Sequence, residues 1–362
     1  MSDPFEIFLA VPPGLEQSLL DEVKELDFPH TEVTPGGVTF QGTWPDVWRA
    51  NLELRGATRV LARIGSLRVM HLAQLDKRAK KFDWSVFSPD VPLKVDVTCK
   101  RSRIYHAGAA KQRIEGALTA AGLTLSPEAG MSLRARIEDD LCTFSIDTSG
   151  DALHKRGHKE AVGKAPLRES LAAHFLRLCE YDGREPLVDP MCGSGTIPIE
   201  AAEIAARLAP GRSRRFAFEQ LNTFDPEAMR TLPRRTVSHD EVPIFGYDRD
   251  QGAIQNATRN AERAKVSANF ACQPISDLTP PTGTPGLILV NPPYGARIGN
   301  KKLLYALYGT FGQRLSAHFA GWRVGIITSD RGLAKATGLK FHDISPPIPH
   351  GGLRVHLFQA KL

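Results

Sequence analysis

Apolar and polar positions repeat with different textures in the two halves of the chain. Residues 5–10 alternate at period two and predict a strand. From Pro13 to about residue 26, Leu15, Leu19, Leu20 and Val23 fall on one helical face. Residues 31–34 and 38–41 predict a hairpin around Pro35-Gly36-Gly37, and Thr43 is placed to cap a helix over 45–54. A second small α+β unit follows. It has strands at 60–69 and 93–98, a short basic helix at 72–81, and a helix at 107–121. A hairpin pairs 133–137 with 142–146 across Glu138-Asp139-Asp140. From Ala165 the pattern changes to helices alternating with short, wholly apolar strands. Helices are expected at 167–178, 195–208, 250–264 and 302–319, and strands at 187–189, 244–247, 287–290, 324–328 and 355–359. Alternating β and α implies an α/β fold with a doubly wound, mostly parallel sheet, whose ligands sit at the carboxyl ends of the strands. The Arg- and Pro-rich stretch 210–242 breaks that spacing and is expected to be an insertion. The units expected are 1–55, 56–150, a basic connector at 151–165, and 166–362.

Charge sharpens the picture more than bulk composition does. The 362 residues are 42% hydrophobic and 24% charged, which suits a globular protein and argues against disorder. No apolar run approaches the roughly 20 residues of a membrane span. The N-terminus has neither a basic nor an apolar leader region, so no signal peptide is expected, and an odd number of scattered thiols reads as reduced and cytoplasmic. The five cysteines form no CxxC pair, which speaks against a disulfide scaffold or a zinc ribbon. Residues 1–50 carry 2 basic and 9 acidic side chains, whereas 55–113 carry 14 and 4, a net of +10. Counterion release makes such a cluster an effective phosphate binder, and no long apolar stripe accompanies it for membrane insertion. Nothing demands more than a monomer.

Three constellations carry candidate chemistry. Asp189-Pro-Met-Cys-Gly-Ser-Gly-Thr196 follows an apolar strand and opens a helix. Its glycines allow a tight turn and close ligand approach, and the helix N-terminus behind them offers free N–H groups. A nicotinamide enzyme would want glycine where Pro198 stands, and an acid near 213–217, where the chain reads Ser-Arg-Arg-Phe-Ala. Asp189 can instead contact a cationic amino group. Gly246-Tyr-Asp-Arg-Asp250 ends the next strand. Asp248 can accept both hydroxyls of a ribose, while Asp250 suits a helix cap. Ser276-Asp277 stands where a side chain can meet an adenine amino group, or serve as a turn acid. The sharpest set is Asn291-Pro-Pro-Tyr294, directly after the strand at 287–290. The amide of Asn291 and the carbonyl of Pro292, held rigidly by Pro292 and Pro293, match the two hydrogens of an exocyclic base amine. Tyr294 offers a stacking face. That loop has no cysteine, which argues against pyrimidine C5 chemistry, and no step asks for a metal.

Together, the sequences DPMCGSGT, GYDRD and NPPYG resemble class I S-adenosylmethionine-dependent methyltransferases acting on nucleic-acid amino groups. Ser102-Arg-Ile-Tyr-His-Ala-Gly-Ala109, Arg113, Leu153-His-Lys-Arg-Gly157 and Ala165-Pro-Leu-Arg-Glu169 are similar to segments of THUMP-domain RNA guanine-N2 methyltransferases, the group that includes enzymes of bacterial 23S rRNA and of tRNA. The resemblance spans nearly the whole chain. It implies a ferredoxin-like domain at 1–55, a THUMP domain at 56–150 and a Rossmann-like methyltransferase domain at 166–362. It also implies S-adenosylmethionine as cofactor and RNA as partner, rRNA ahead of tRNA. Asp189, Pro190, Met191, Gly193, Ser194, Gly195 and Thr196 would hold the methionine part of the cofactor. Asp248 would take the ribose, and Ser276 with Asp277 the adenine. Asn291, Pro292, Pro293 and Tyr294 would hold the target amine. The expected RNA-facing cations are Lys100, Arg101, Arg103, Lys111, Arg113, Lys155 and Arg156. His106, His154 and His158 are expected to face RNA or serve structure. Adenine N6, in RNA or DNA, and an RNA-binding module with a vestigial catalytic half remain open alternatives.

Overall fold

A computed structural model describes residues 3–160, 167–233, 235–238, 241–295 and 301–362. Residues 161–166, which include Ala165 and Pro166 of the 165–169 motif and the end of the expected connector, lie outside the described residues. The chain divides into two compact units.

The first unit comprises Met1–Val11, Leu19–Leu153 and Arg214–Pro233. Its strands are β1 (Phe5–Ala10), β2 (Glu32–Thr34), β3 (Gly37–Gly42), β4 (Arg59–Arg68), β5 (Leu93–Lys100), β6 (Met131–Glu138) and β7 (Leu141–Asp147). The helices of this part of the chain are α1 (Glu16–Glu25), α2 (Trp44–Glu53), α3 (Leu72–Ala79) and α4 (Ala107–Ala120). Thr43 starts α2 as expected, its backbone N–H donating to Asp46 Oδ2 at 2.8 Å. The seven strands form one sheet in the order β2-β3-β1-β4-β7-β6-β5. The strand β4 pairs with β1 on one side and with β7 on the other. The expected boundary at 55/56 therefore does not interrupt the hydrogen bonding. Ile7, Leu9, Val60, Leu133, Phe144 and Ile146 are fully buried along these strands.

The second unit comprises Pro12–Ser18, His154–Ser213 and Arg234–Leu362. It runs α5 (Glu169–Leu178), β8 (Leu187–Asp189), α6 (Thr196–Ala205), then, after α7 (Pro226–Thr231) in the first unit, β9 (Ile244–Asp248), α8 (Gln251–Ala264), β10 (Asn269–Cys272), β11 (Leu287–Val290), α9 (Lys301–His318), β12 (Arg323–Thr328), α10 (Arg331–Ala336), β13 (Phe341–Ile344), β14 (Ile348–His350) and β15 (Leu353–Lys361). The sheet order is β10-β9-β8-β11-β12-β15-β13, with β14 paired to β15. From β10 through β12 every neighbour is parallel, and β15 returns antiparallel to β12. All four residues of β11 are buried, as a strand covered on both faces must be. The order reverses between β8 and β11, the switch point at which such sheets leave a crevice.

Two expectations are corrected. The stretch 210–242 is not simply an insertion of the second unit, because 214–233 packs on the first. Arg214 donates to the carbonyls of Ala152, Ser149 and Asp151 at 2.9, 3.0 and 2.6 Å. Phe218 and Phe224 meet the indole of Trp48 with centroids 6.3 and 5.4 Å apart, and aromatic burial of this kind dominates local packing. Nor does Arg156 of the basic connector stand exposed to RNA. Arg156 is 1% exposed and its guanidinium meets Glu200 of α6 at 3.1 Å.

Candidate active site

Register brings the three constellations to one edge. Asp189 of β8 pairs with Gly246 of β9, and Val188 with Ile288 of β11. In a parallel sheet the three strands therefore end together, and Asp189, Asp248 and Asn291 leave from neighbouring carboxyl ends. The three ends lie beside the switch point, where sheets of this order leave a crevice.

The glycine loop is held by its neighbours. Gly193 and Gly195 have φ +54° and +86°, which glycine alone adopts without strain. A side chain on Gly195 would press within 3.0 Å of Ala257, so α6 and α8 approach closely there, whereas one on Gly193 would meet nothing within 4 Å. Gly193 N–H donates to Asp248 Oδ2 at 3.0 Å, and Asn260 Nδ2 donates to the Ser194 carbonyl at 3.0 Å. Pro190 and Cys192 are buried, the latter a packing residue as its position in the turn suggests, and Met191 packs against the core beneath β11.

The acids have distinct environments. Asp189 is 2% exposed and accepts from the Met191 N–H at 3.1 Å. Burial drives its pKa well above the usual carboxylate range and the charge of Asp248 adds to the rise, against the Met191 hydrogen bond. No cation among the described residues offsets this. A facing pair of carboxylates suits a cationic ligand group, which is what the α-ammonium of an amino-acid cofactor supplies. Asp248 Oδ1 also accepts from Asp250 N–H at 3.0 Å, which leaves each of its oxygens a second lone pair for a ribose hydroxyl. Asp250 caps α8 through Gly252 N–H at 2.8 Å. Ser276 and Asp277 lie exposed after β10, the hydroxyl donating to Asp277 Oδ1 at 3.0 Å.

The loop after β11 is anchored at one end and open at the other. Pro293 offers its carbonyl to the buried Tyr308 hydroxyl of α9 at 3.3 Å. Tyr294 packs against the core, and burial pushes its phenol up to about 12, so it stays neutral. Asn291 Oδ1 is buried and has no hydrogen-bond partner among the described residues. Buried acceptors are nearly always paired, so an orphan at a strand tip marks a place where a donor belongs.

Among the expected RNA-facing cations, Lys100, Arg101 and Arg103 are exposed but face the 138–140 turn. Arg101 meets Glu138 and Asp139 at 2.8 and 3.0 Å, Arg103 meets Asp140 at 3.7 Å and Lys100 meets Glu138 at 3.7 Å. Three carboxylates thus stand against three cations of the basic segment. Lys111 pairs with Glu115 at 3.7 Å, and Arg113 and Lys155 are exposed. Arg156, buried on Glu200, does not face a partner. His106 caps α4, its Nδ1 accepting from Ala109 N–H at 3.0 Å. His158 is 3% exposed and lies 3.6 Å from Glu203. Sequence reasoning did not single out Lys159. Its ammonium donates to Thr196 Oγ1 at 2.7 Å and meets Glu169 at 3.1 Å. The Thr196 hydroxyl is therefore engaged from behind the loop.

The chain resembles known proteins over nearly its whole length. Residues 156–344 match the family described as RMKL-like, methyltransferase domain, and residues 6–61 match the RlmL ferredoxin-like domain. The chain is 30% identical over 372 residues to the "Putative RNA methyltransferase slr0064" of Synechocystis sp., covering 98% of this chain and 96% of that one. It is 33% identical over 370 residues to the ribosomal RNA large subunit methyltransferase K/L of Syntrophotalea carbinolica, covering 95% of this chain and 52% of the relative. The chain thus spans about half the length of the ribosomal relatives it matches. Among solved structures, "SMU.472, a putative methyltransferase complexed with SAH" superposes with TM-score 0.87 at 25% identity, covering 100% of this chain and 99% of that one.

Proposed function

The chain belongs to the family of RMKL-like methyltransferases, and from that premise we propose that it moves a methyl group from S-adenosylmethionine to the exocyclic N2 amine of a guanine in large-subunit ribosomal RNA. The observation that carries the reading is the orphaned Asn291 Oδ1 at the tip of β11, one strand from the glycine loop. Bound S-adenosylmethionine supplies an electrophilic methyl on a sulfonium.

The residues that would hold it are Asp189 for the ammonium, the Gly193–Gly195 turn for the methionine chain, Asp248 for the ribose, and Ser276 with Asp277 for the adenine. Asn291 Oδ1 and the Pro292 carbonyl accept the two amine hydrogens. Accepting both draws the nitrogen lone pair out of conjugation with the purine and aims it. Tyr294 lies against the base. Rate comes from positioning and from acceptors fixed in advance, since the prolines and the Tyr308 contact leave the loop little to reorganise. A base inside a helix cannot reach such a recess, so the nucleotide turns out of its stack. The first unit, read as a ferredoxin-like part at 1–55 and a THUMP part at 56–150, grips the RNA with Lys100, Arg101, Arg103, Lys111, Arg113 and Lys155. The enzyme acts in the cytoplasm as a monomer, with rRNA ahead of tRNA.

Radiolabelled methyl transfer to total RNA and to DNA, followed by nucleoside digestion, tests the assignment. The expected product is N2-methylguanosine from the large-subunit RNA. Methyladenosine alone would overturn the guanine reading, and calorimetry without cofactor binding would favour a vestigial catalytic half.

A further inference from the structure

We propose that Lys159 is a positioning residue for the cofactor: its ammonium, braced by Glu169, turns the proton of the Thr196 hydroxyl toward the carboxylate of S-adenosylmethionine. The proposal rests on the reading above, which lays the methionine end of the cofactor along the glycine turn.

Three groups of the second unit converge on the Lys159 ammonium. It donates to Thr196 Oγ1 at 2.7 Å and to the Leu167 carbonyl at 3.3 Å, and it lies 3.1 Å from Glu169 Oε1. An ammonium has three protons and no acceptor. All three are thus engaged by the protein, and none is left for a ligand. The side chains of Lys159 and Glu169 are each 9% exposed. Thr196 is 8% exposed and is the first residue of α6, after Gly195 at the N-cap.

A threonine hydroxyl accepts through its lone pairs and donates one proton. Here a charged donor holds the hydroxyl by its oxygen, which leaves the proton facing away from Lys159. Inside a helix that proton can go to a carbonyl one turn back, but the first residue of a helix has none. No acceptor for it occurs among the described residues. Contact with the ammonium also makes the hydroxyl a stronger donor. The turn just before it is open, since a Cβ on Gly193 would meet nothing within 4 Å. A carboxylate lying along that turn accepts from the hydroxyl and from the free N–H groups of α6 together. The ammonium itself stands at the positive end of α6, an unfavourable place for a cation. Glu169 offsets it, and a second anion at the turn offsets it further. This division leaves Asp189 to the α-ammonium of the same ligand.

The test is calorimetry with two ligands, S-adenosylhomocysteine and its decarboxylated analogue, which keeps the amine and lacks the carboxylate. The wild type should bind the analogue about tenfold more weakly, as loss of one hydrogen bond to a charged group requires. Lys159→Met should weaken S-adenosylhomocysteine by about tenfold on the same ground and leave the analogue within about twofold. Thr196→Val should do the same and add nothing to Lys159→Met, whereas Thr196→Ser should keep the wild-type preference. Removing the ammonium alone strands a buried Glu169, so Lys159→Met combined with Glu169→Leu is measured beside it and should show the same loss of preference. Lys159 variants that weaken both ligands equally, or that keep the wild-type preference, would overturn the proposal, because the lysine would then only hold the loop in place. A wild type that binds both ligands alike would sink the carboxylate contact alone. A wild type that binds neither would sink the cofactor placement, and this proposal with it.

Discussion

At the scale of single residues, the proposed chemistry turns on Asn291 and Asp189. The orphaned Asn291 Oδ1 has no hydrogen bond among the described residues to lose. Asn291→Ala should therefore leave the fold intact and cofactor affinity within a few-fold. It should also lower kcat by about 10²–10³, the cost of losing one preorganised transition-state group. Single-turnover kinetics beside calorimetry check this, and equal loss of both would mark the loop as structural. Asp189 predicts a pH dependence. Its carboxyl is protonated to an unusually high pH because burial penalises the charge and Asp248 repels it. A cationic ligand needs the carboxylate, so binding expels that proton. Affinity for S-adenosylhomocysteine should rise with pH up to the raised pKa and then level off, and Asp189→Asn should remove the slope. Calorimetry in buffers of differing ionisation heat reads the released proton directly.

At the scale of elements, α6 is fastened from behind by the segment that precedes α5. Arg156 meets Glu200 with both side chains 1% exposed, and Lys159 ties Thr196 to Glu169. Breaking a buried pair strands a charge and costs about 3–5 kcal/mol, whereas removing both partners costs far less. Arg156→Met should thus lower stability in urea by about that amount, and Arg156→Met with Glu200→Leu should recover most of it. A single variant that unfolds like the parent would show that the pair carries no stability. These fastenings were only half legible. The run His154-Lys-Arg-Gly-His-Lys159 reads as basic, and basic residues are usually exposed. Their acids, Glu169, Glu200 and Glu203, come later in the chain, and only packing brings them near. The strands and helices of the second unit were legible, because apolar runs such as 287–290 are bounded by turn residues. The short α10 and β13 were not, because four to six residues carry too little periodicity.

At the scale of the whole molecule, charge is the guide that changed most. The net of +10 over 55–113 suggests a bare phosphate footprint. The fold sets Glu138, Asp139 and Asp140 against Lys100, Arg101 and Arg103, so on the proposed reading phosphates would have to displace those acids. Reversing Arg101 and Arg103 to glutamate should weaken RNA binding and flatten the plot of log affinity against log salt by about 2, on the order of one per lost phosphate contact. Filter binding at several salt concentrations checks it, and an unchanged slope would move the footprint elsewhere. No helix among the described residues is long and apolar enough to cross a membrane.

The sequence by itself determined the local rules: where glycine must turn, which acids end strands, and which prolines stiffen the Asn291 loop. Those depend on backbone sterics and on neighbours within a few residues. The tertiary structure alone decided which of these ends meet, that β4 joins two small units in one sheet, that 214–233 packs away from its flanking segments, and that Arg156 is buried. Such outcomes rest on contacts between residues tens to hundreds of positions apart, where burial and pairing override the tendency of each residue taken singly.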